Sequence, residues 1–146
     1  MAISQAMCTS FKKELLEGKH DFSSAGHTFK IALFSAAATL SAGTTNFTTS
    51  GEVTGSGYTT GGETITQSEP TTDGTTGFVD FNNVTFTGVT LTARGAVIYN
   101  STTEGSSNTT NAVCVLDFSA DQTANAGNFT VSFPSADGTN AIVRIE

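Results

Sequence analysis

Hydroxyl-bearing side chains constrain the fold of this sequence more than any other feature. Its 146 residues include 27 Thr and 15 Ser, whereas charged residues make up only 13%. Thr is β-branched, so it loses rotamer freedom in a helix but packs well on a pleated strand. Lys, Glu and Leu are too few for a helical bundle or coiled coil. The composition therefore predicts a β domain whose outer strand faces are hydrated through hydroxyl groups rather than through charged side chains.

The length and the apolar content indicate one folded unit. A chain of 146 residues suits a single core, and 11 Phe among 37% hydrophobic residues argue against a disordered polymer. No apolar run approaches the roughly 18 residues that a membrane-spanning helix needs. The first residues also lack the basic segment that precedes the apolar stretch of a secretory signal. We therefore expect one domain over residues 1–146.

The charge distribution argues against two classes of partner. The net charge is −7; residues 1–30 hold four of the six cations, and residues 31–146 hold Arg94 and Arg144 against ten acids. Nucleic-acid binding needs clustered cations that replace phosphate counterions, and anionic membranes attract the same clusters. We expect neither nucleic acid nor a membrane as a partner.

One amphipathic helix is predicted at residues 4–17, with Ser4 as its N-cap and Gly18 as its stop. Its apolar stripe consists of Ile3, Met7, Cys8, Phe11, Leu15 and Leu16. This helix either closes one end of a β core or docks on a partner through Met7, Phe11 and Leu15.

The rest of the chain alternates between short apolar patterns and turn residues. The predicted strands are residues 28–36, 63–67, 77–81, 84–87, 90–100, 112–119, 128–133 and 141–146. Seven to nine such strands are typical of an all-β domain. We predict a mainly β, single-domain antiparallel β-sandwich or barrel with one N-terminal α-helix. Residues 1–27 form the helix and its connection, and residues 28–146 form the β-sandwich.

Two loops are candidate contact regions. Residues 37–62 are rich in Ser, Thr and Gly and include GSGYTTGG at 55–62, whose glycines allow backbone turns with positive φ. Long loops are often functional or ordered by a partner, so the segment 43–62 and its Tyr58 are interface candidates. The polar segment 101–110 is expected to be an exposed hairpin tip.

Metal-binding and redox patterns are missing from the sequence. His20 and His27 do not follow a known ligand spacing, and the segment around them is predicted to be a surface turn. Cys8 and Cys114 are far apart in sequence and lack a CxxC pattern. We expect two buried thiols, with a disulfide between the N-terminal helix and a strand as the alternative.

The sequence offers no catalytic arrangement. It has no G-x-S-x-G nucleophile turn, and GSGYTTGG lacks the Lys of a phosphate-binding loop. Asp80, Asp117 and Asp121 lack the aromatic platform that accompanies paired carboxylates in a sugar site. For Asp117 and Asp121, a turn that caps a strand end is favoured over a weak Ca²⁺ site. We predict neither an enzyme nor a cofactor.

Arg94 lies within a predicted strand and is one of only two cations after residue 30. An isolated Arg flanked by apolar residues usually pairs with a carboxylate. That carboxylate belongs either to the same chain or to a partner, because interfaces are enriched in Arg.

The ordered segments of the chain resemble a family of small structural proteins of tailed bacteriophages. The likeness rests on MAISQAMCTSFKKELLEGKHDF, HTFKIALFSAAATL, GSGYTTGGETI, ARGAVIYN, VLDFSADQTANAGNFTVSFP and NAIVRIE, which are spread over nearly the whole length of the chain. None of these segments is catalytic, and no functional residue carries over from the resemblance.

The resemblance implies a non-enzymatic virion component, assembled in the cytoplasm of the bacterial host. Within this class the chain looks most like a capsid decoration or cement protein that binds the major capsid protein as a homo-oligomer, with a trimer favoured. A tail, collar or head–tail adaptor component is the alternative within the virion. A module that binds carbohydrate or a cell surface is the alternative outside this class, although it would need exposed aromatic residues.

Overall fold

The computed structural model describes residues 1–102 and 109–146. Its elements in chain order are β1 (Ala6–Met7), α1 (Thr9–Leu16), β2 (Phe29–Phe34), β3 (Glu63–Ile65), β4 (Thr71–Asp73), β5 (Thr76–Val79), β6 (Val84–Asn100), β7 (Asn111–Val131) and β8 (Val143–Ile145). The fold is mainly β, with two antiparallel sheets and one short N-terminal helix in a single sandwich-like domain. The predicted fold class is confirmed, and the open sheets make it a sandwich rather than a barrel.

The two sheets differ in size. The larger has the strand order β1-β7-β6-β2-β3, and the smaller has the order β4-β5-β8. Phe29 of β2 stacks on Phe22 at 4.4 Å between ring centroids, and Phe81, just after β5, lies 6.2 Å from Phe29. These buried rings join the smaller sheet to the larger one.

The helix is shorter than predicted. Its N-cap is Cys8 instead of Ser4, because residues 6–7 are extended and pair with β7. Backbone pairing in the sheet thus outweighs the helical periodicity of the first residues. The predicted stop is confirmed, since Gly18 follows the C-cap with a φ of +72°.

The main difference from the predicted strands is a long hairpin. The predicted strands 84–87 and 90–100 are one continuous strand, β6, and the predicted strands 112–119 and 128–133 belong to β7. Gly88, Ser119 and Ala126 have positive φ and coincide with register shifts between the two strands. Their turn-like sequences therefore form β-bulges, which bend a strand without ending it.

The remaining differences are small. β4 lies between the predicted strands 63–67 and 77–81, where no strand was predicted, and its residues face solvent. The other strands are found near their predicted positions with shifted ends. Of the predicted hairpin tip at 101–110, residues 103–108 lie outside the described residues.

Candidate interaction surface

Half of the long hairpin extends beyond its neighbouring strands. Among the described residues, β2 pairs with β6 at residues 95–100, and β1 pairs with β7 at residues 114–115. We call residues 84–93 and 122–131 the outer arm. One bridge, between Ser56 and Thr90, connects it to the preceding loop. The outer arm is therefore a two-stranded ribbon with a largely uncovered edge on β7.

The two faces of the outer arm have opposite character. Phe86, Val89, Leu91 and Phe129 are buried in the core. The opposite face exposes Thr85, Thr87, Thr90, Thr92, Thr123 and Thr130, which we call the threonine face. Alternation on each side of the bulge at Gly88 separates these two sets, and the extra residue of the bulge keeps Thr85 and Thr87 on the same face as Thr90 and Thr92.

Hydrogen bonds order the threonine face. The hydroxyls of Thr85 and Thr130 lie 3.0 Å apart across the two strands, and those of Thr92 and Thr123 lie 2.9 Å apart. The Thr90 hydroxyl accepts a hydrogen bond of 3.0 Å from the Ala126 amide. Because β-branched side chains are also stiff, little rotamer entropy is left to lose when a partner covers this face.

The chemistry of the threonine face suits contact with another protein. Residues 84–93 and 122–131 contain no Asp, Glu, Lys or Arg. Burying a hydroxyl that is already hydrogen-bonded costs far less than burying a charge. This surface can therefore be covered by a partner without the desolvation penalty that a charged strand face would carry.

Arg94 marks the inner end of the outer arm. It lies opposite an outward bulge formed by residues 118–121 of β7. Its Nε is 3.6 Å from Asp117 Oδ1, and its Nη1 is 3.8 Å from Asp121 Oδ1. Of the two alternatives left open for Arg94, the structure places carboxylates of the same chain beside it.

The predicted Asx turn is present in the same bulge. The Ser119 amide donates a hydrogen bond of 2.8 Å to Asp117 Oδ1, and Ser119 has a φ of +66°. The turn lies inside β7 instead of capping a strand end, so it bends the strand and leaves it continuous.

The predicted docking stripe of the helix is divided between three environments. Met7 is half-buried in β1, opposite Cys114 of β7. Phe11 is fully buried, with its ring centroid 4.8 Å from that of His20, so it belongs to the core and offers no docking surface. Leu15 is half-buried, whereas Leu16 is 92% exposed. Of the two alternatives left open for the helix, Phe11 favours the one in which it closes the core, and the predicted apolar stripe is not continuous because Leu16 is exposed.

Leu15 borders an apolar groove that sequence reasoning missed. The groove has a volume of about 320 Å³, and its apolar lining includes Leu15, Phe22, Pro70, Phe78, Val143 and Ile145. These residues come from α1, the smaller sheet and the connections, so no local pattern brings them together. Ile145 is 63% exposed.

Tyr58 is held by its own chain. Its hydroxyl accepts a hydrogen bond of 2.9 Å from the Leu33 amide and donates one of 2.8 Å to Glu52 Oε1. The same Glu52 oxygen accepts a hydrogen bond from the Gly61 amide, and the Tyr99 hydroxyl donates to the Gly61 carbonyl. The loop around Tyr58 is thus fastened to the sheet within one chain, which corrects the idea that only a partner orders it.

The histidines are not on a surface turn, which corrects that prediction. His20 and His27 are buried, at 9% and 8% exposure, and both contact the side chain of Asn100 at the end of β6. A single Asn at a strand end gives no sequence signal of such a contact. The surrounding aromatic rings make this a part of the core.

The cysteines are free thiols, and both are buried. Burial raises the pKa of Cys8 to about 11, with a smaller contribution from Glu14. Burial also raises the pKa of Cys114. High thiol pKa values disfavour the reactive thiolate, so these side chains act as small apolar groups in the core.

Within the described residues, no three His, Cys, Asp or Glu side chains are grouped as a metal site requires, and no helix is long and apolar enough to cross a bilayer.

Comparison with known proteins finds no relative. No family model, curated protein or solved structure matches this chain. The surface that its own geometry singles out is the threonine face.

Proposed function

We propose that this chain is a structural protein of a tailed-phage virion that binds the outer surface of the capsid shell through the threonine face. The proposal starts from the resemblance of its ordered segments to small virion proteins. Those segments form the scaffold: VLDFSADQTANAGNFTVSFP contains most of β7, and ARGAVIYN is the inner half of β6.

The threonine face is the observation that carries the proposal. A protein that coats a particle binds the shell over much of one of its own faces. The contacts at the rim of that face must remain favourable although water reaches them. An ordered, uncharged hydroxyl face meets this need because its hydrogen-bonding groups can pair with a partner's backbone. The excess of acidic residues elsewhere, which gives the net charge of −7, would keep coated particles dispersed.

The partner in this proposal is the major capsid protein. A shell repeats one binding site many times, so affinity per copy need not be high when the bound copies also contact each other. We expect a symmetric homo-oligomer on the shell, with a trimer favoured.

The copy number in the particle tests this assignment. We expect densitometry of purified phage particles containing this chain to give a stoichiometry close to that of the major capsid protein. A few tens of copies or fewer would contradict capsid decoration and favour a tail, collar or adaptor component. Absence from purified particles would overturn the virion assignment altogether.

A carbohydrate-binding module is the less favoured function. Such modules present aromatic rings as flat platforms, and the chain has two Tyr and no Trp. Tyr99 is buried, and the hydroxyl of the half-buried Tyr58 is hydrogen-bonded to Glu52. Binding of the purified chain on a glycan array would favour this alternative.

A charge placed on the threonine face tests the binding surface. We expect Thr92→Glu to weaken binding to shells that lack the protein by about 100-fold, because an unpaired carboxylate in an interface costs roughly 3 kcal/mol. The matched control is Thr64→Glu, since Thr64 is an exposed strand residue of β3 opposite Lys30. Equal binding of Thr92→Glu and the wild-type chain would contradict the proposed surface.

A further inference from the structure

A buried polar cluster connects the N-terminal segment to the sheet. It consists of His20, His27 and Asn100, which we call the histidine cluster. The two histidines belong to the connection between α1 and β2, and Asn100 is the last residue of β6. Asn100 is 2% exposed, so the cluster lies inside the fold.

The backbone determines which way the Asn100 amide faces. The Thr102 amide donates a hydrogen bond of 2.9 Å to Asn100 Oδ1. A backbone N–H can only donate, so the oxygen must be on that side. Asn100 Nδ2 therefore faces the histidines, at 3.1 Å from His20 Nδ1 and 2.8 Å from His27 Nδ1.

This orientation defines the protonation state of both rings. An amide NH₂ group has no acceptor, so each histidine must present an unprotonated Nδ1 to it. The Asp21 amide also donates to His27 Nδ1, at 3.2 Å. On the far side of His20, Nε2 is 2.6 Å from Glu14 Oε2 and donates to it. Both rings are thus neutral and carry their proton on Nε2.

A second proton has no place in this arrangement. It would have to enter at Nδ1, where it meets the N–H donors of Asn100 and, for His27, of Asp21. Either ring must then lose its hydrogen bond to Asn100 and turn away. Because His20 is also packed against the rings of Phe11 and Phe29, a charge on it would be poorly solvated.

Nearby charged groups only partly offset the cost of placing a positive charge on His20. Burial lowers the pKa of His20 from its ordinary value of 6.5, while Glu14 opposes the change and His27 and Lys19 add to it. Among residues 1–102 and 109–146, the ionisable groups facing the cluster are Glu14 of α1 and Lys19 and Asp21 of the connection, whereas β2 and β6 contribute Phe29 and Asn100.

We propose that the histidine cluster is a pH-sensitive switch that holds α1 and the connection at residues 17–28 against the larger sheet at neutral pH and releases them on mild acidification. The neutral form of His20 is the one that the fold stabilises. Its contribution to stability is therefore complete above the ordinary pKa of 6.5 and is lost as the pH falls below it. The proposal does not depend on capsid binding.

Ring NMR tests the starting state directly. The chain has two histidines, so two sets of ring signals are expected. At neutral pH, the ¹⁵N shifts should show both rings as the Nε2–H tautomer. A neutral Nδ1–H ring, or a ring already charged at neutral pH, would overturn the proposal.

Hydrogen exchange tests the release. After correction for intrinsic rates, the amides of α1 should lose at least tenfold in protection between about pH 7.5 and about pH 5. Amides of Val97 and Ile98 in the middle of the sheet should keep theirs. Unchanged protection of α1, or an equal loss in the sheet, would contradict a local switch.

An isosteric substitution separates the switch from simple packing. Asn100→Asp keeps the acceptor for Thr102 and replaces the donor by an acceptor that favours a protonated ring. We expect it to raise the pKa of at least one histidine and to abolish the loss of α1 protection on acidification. An equal loss of protection at both pH values would reveal a structural role only and overturn the proposal. Lys12→Gln, an exposed change on α1, should keep the wild-type profile.

Discussion

Tyr58 and Asp80 show how differently this fold treats its polar side chains inside the protein. The Tyr58 hydroxyl uses both its donor and its acceptor capacity, with Glu52 and Leu33. Asp80 is 2% exposed, and its Oδ1 accepts a hydrogen bond of 2.9 Å from the Phe81 amide. Its Oδ2 makes no hydrogen bond of ordinary geometry among the described residues, although the Ile142 amide is close enough to oppose the rise in the pKa of the carboxyl. At the residue scale, Tyr58 fastens a loop, whereas Asp80 carries a desolvation cost.

Asp80→Asn is predicted to stabilise the protein at neutral pH. Burial raises the pKa of Asp80, so folding favours the protonated acid, and the charged form costs stability as the pH rises above the ordinary value of 3.8. Asn keeps an acceptor for the backbone and removes the charge. We expect the free energy of unfolding in urea to rise by about 1 kcal/mol at pH 7.

The pH dependence provides the control for this prediction. Below the ordinary pKa of 3.8 the wild-type carboxyl is protonated in both the folded and the unfolded protein, so the gain should disappear there. A variant that is less stable than the wild type at pH 7 would show that the Asp80 carboxylate has a stabilising partner.

At the scale of the elements, the pairing of β3 with β2 depends on Gly62. The GSGYTTGG segment was predicted to contain positive-φ glycines, and Gly57, Gly61 and Gly62 confirm this. Gly62 immediately precedes β3, and a Cβ there would overlap the carbonyl oxygen of Ile31 in β2. The glycine therefore lets the two backbones approach closely enough to pair.

Gly62→Ala is predicted to destabilise the protein by more than about 3 kcal/mol, because it adds a backbone clash to a left-handed conformation. The matched control is Gly74→Ala. Gly74 also has a positive φ, +59°, but a Cβ there would meet no atom within 4 Å. Its cost should be about 1 kcal/mol. Thermal denaturation of the two variants measures the difference, and equal costs would contradict the role of close approach.

The long hairpin shows where sequence reasoning fails for an element. Gly88 and the polar run 119–127 have the composition of turns, so each long strand was predicted as two short ones. Pairing over β6 and β7 instead absorbs these residues as bulges. Local composition cannot distinguish a turn from a bulge, because the difference is whether a partner strand continues alongside.

At the scale of the whole molecule, an aromatic cluster connects the two sheets and the segment that follows α1. The ring centroid of Phe81 lies 6.3 Å from that of Phe22 and 5.8 Å from that of Phe133, in addition to its contact with Phe29. Phe22 belongs to the connection after α1, and Phe29 belongs to the larger sheet. The helix connection and both sheets therefore share one cooperative core through these rings.

Phe81→Ala is predicted to cost about 3–5 kcal/mol, because it leaves a cavity where the two sheets meet. Phe133→Ala is the control within the same cluster, since Phe133 is only half-buried, and it should cost about 1 kcal/mol. Chemical denaturation followed by circular dichroism measures both. A small effect of Phe81→Ala would show that the smaller sheet is held by other contacts.

The sequence by itself determined the class of the fold and the character of its surface. The Thr content, the alternation within residues 84–87 and within residues 90–93, and the single N-terminal helix are local properties, so they could be predicted. Only the tertiary structure decided that four predicted strands form one hairpin, that Phe11 and both histidines are buried, and that Leu16 is exposed. These outcomes depend on which distant segments pair, and pairing free energy is summed over contacts far apart in the chain. The threonine face depends on both local sequence and tertiary structure. Alternation predicts exposed hydroxyls on each strand, and the register of β6 with β7 joins the two strands into one surface.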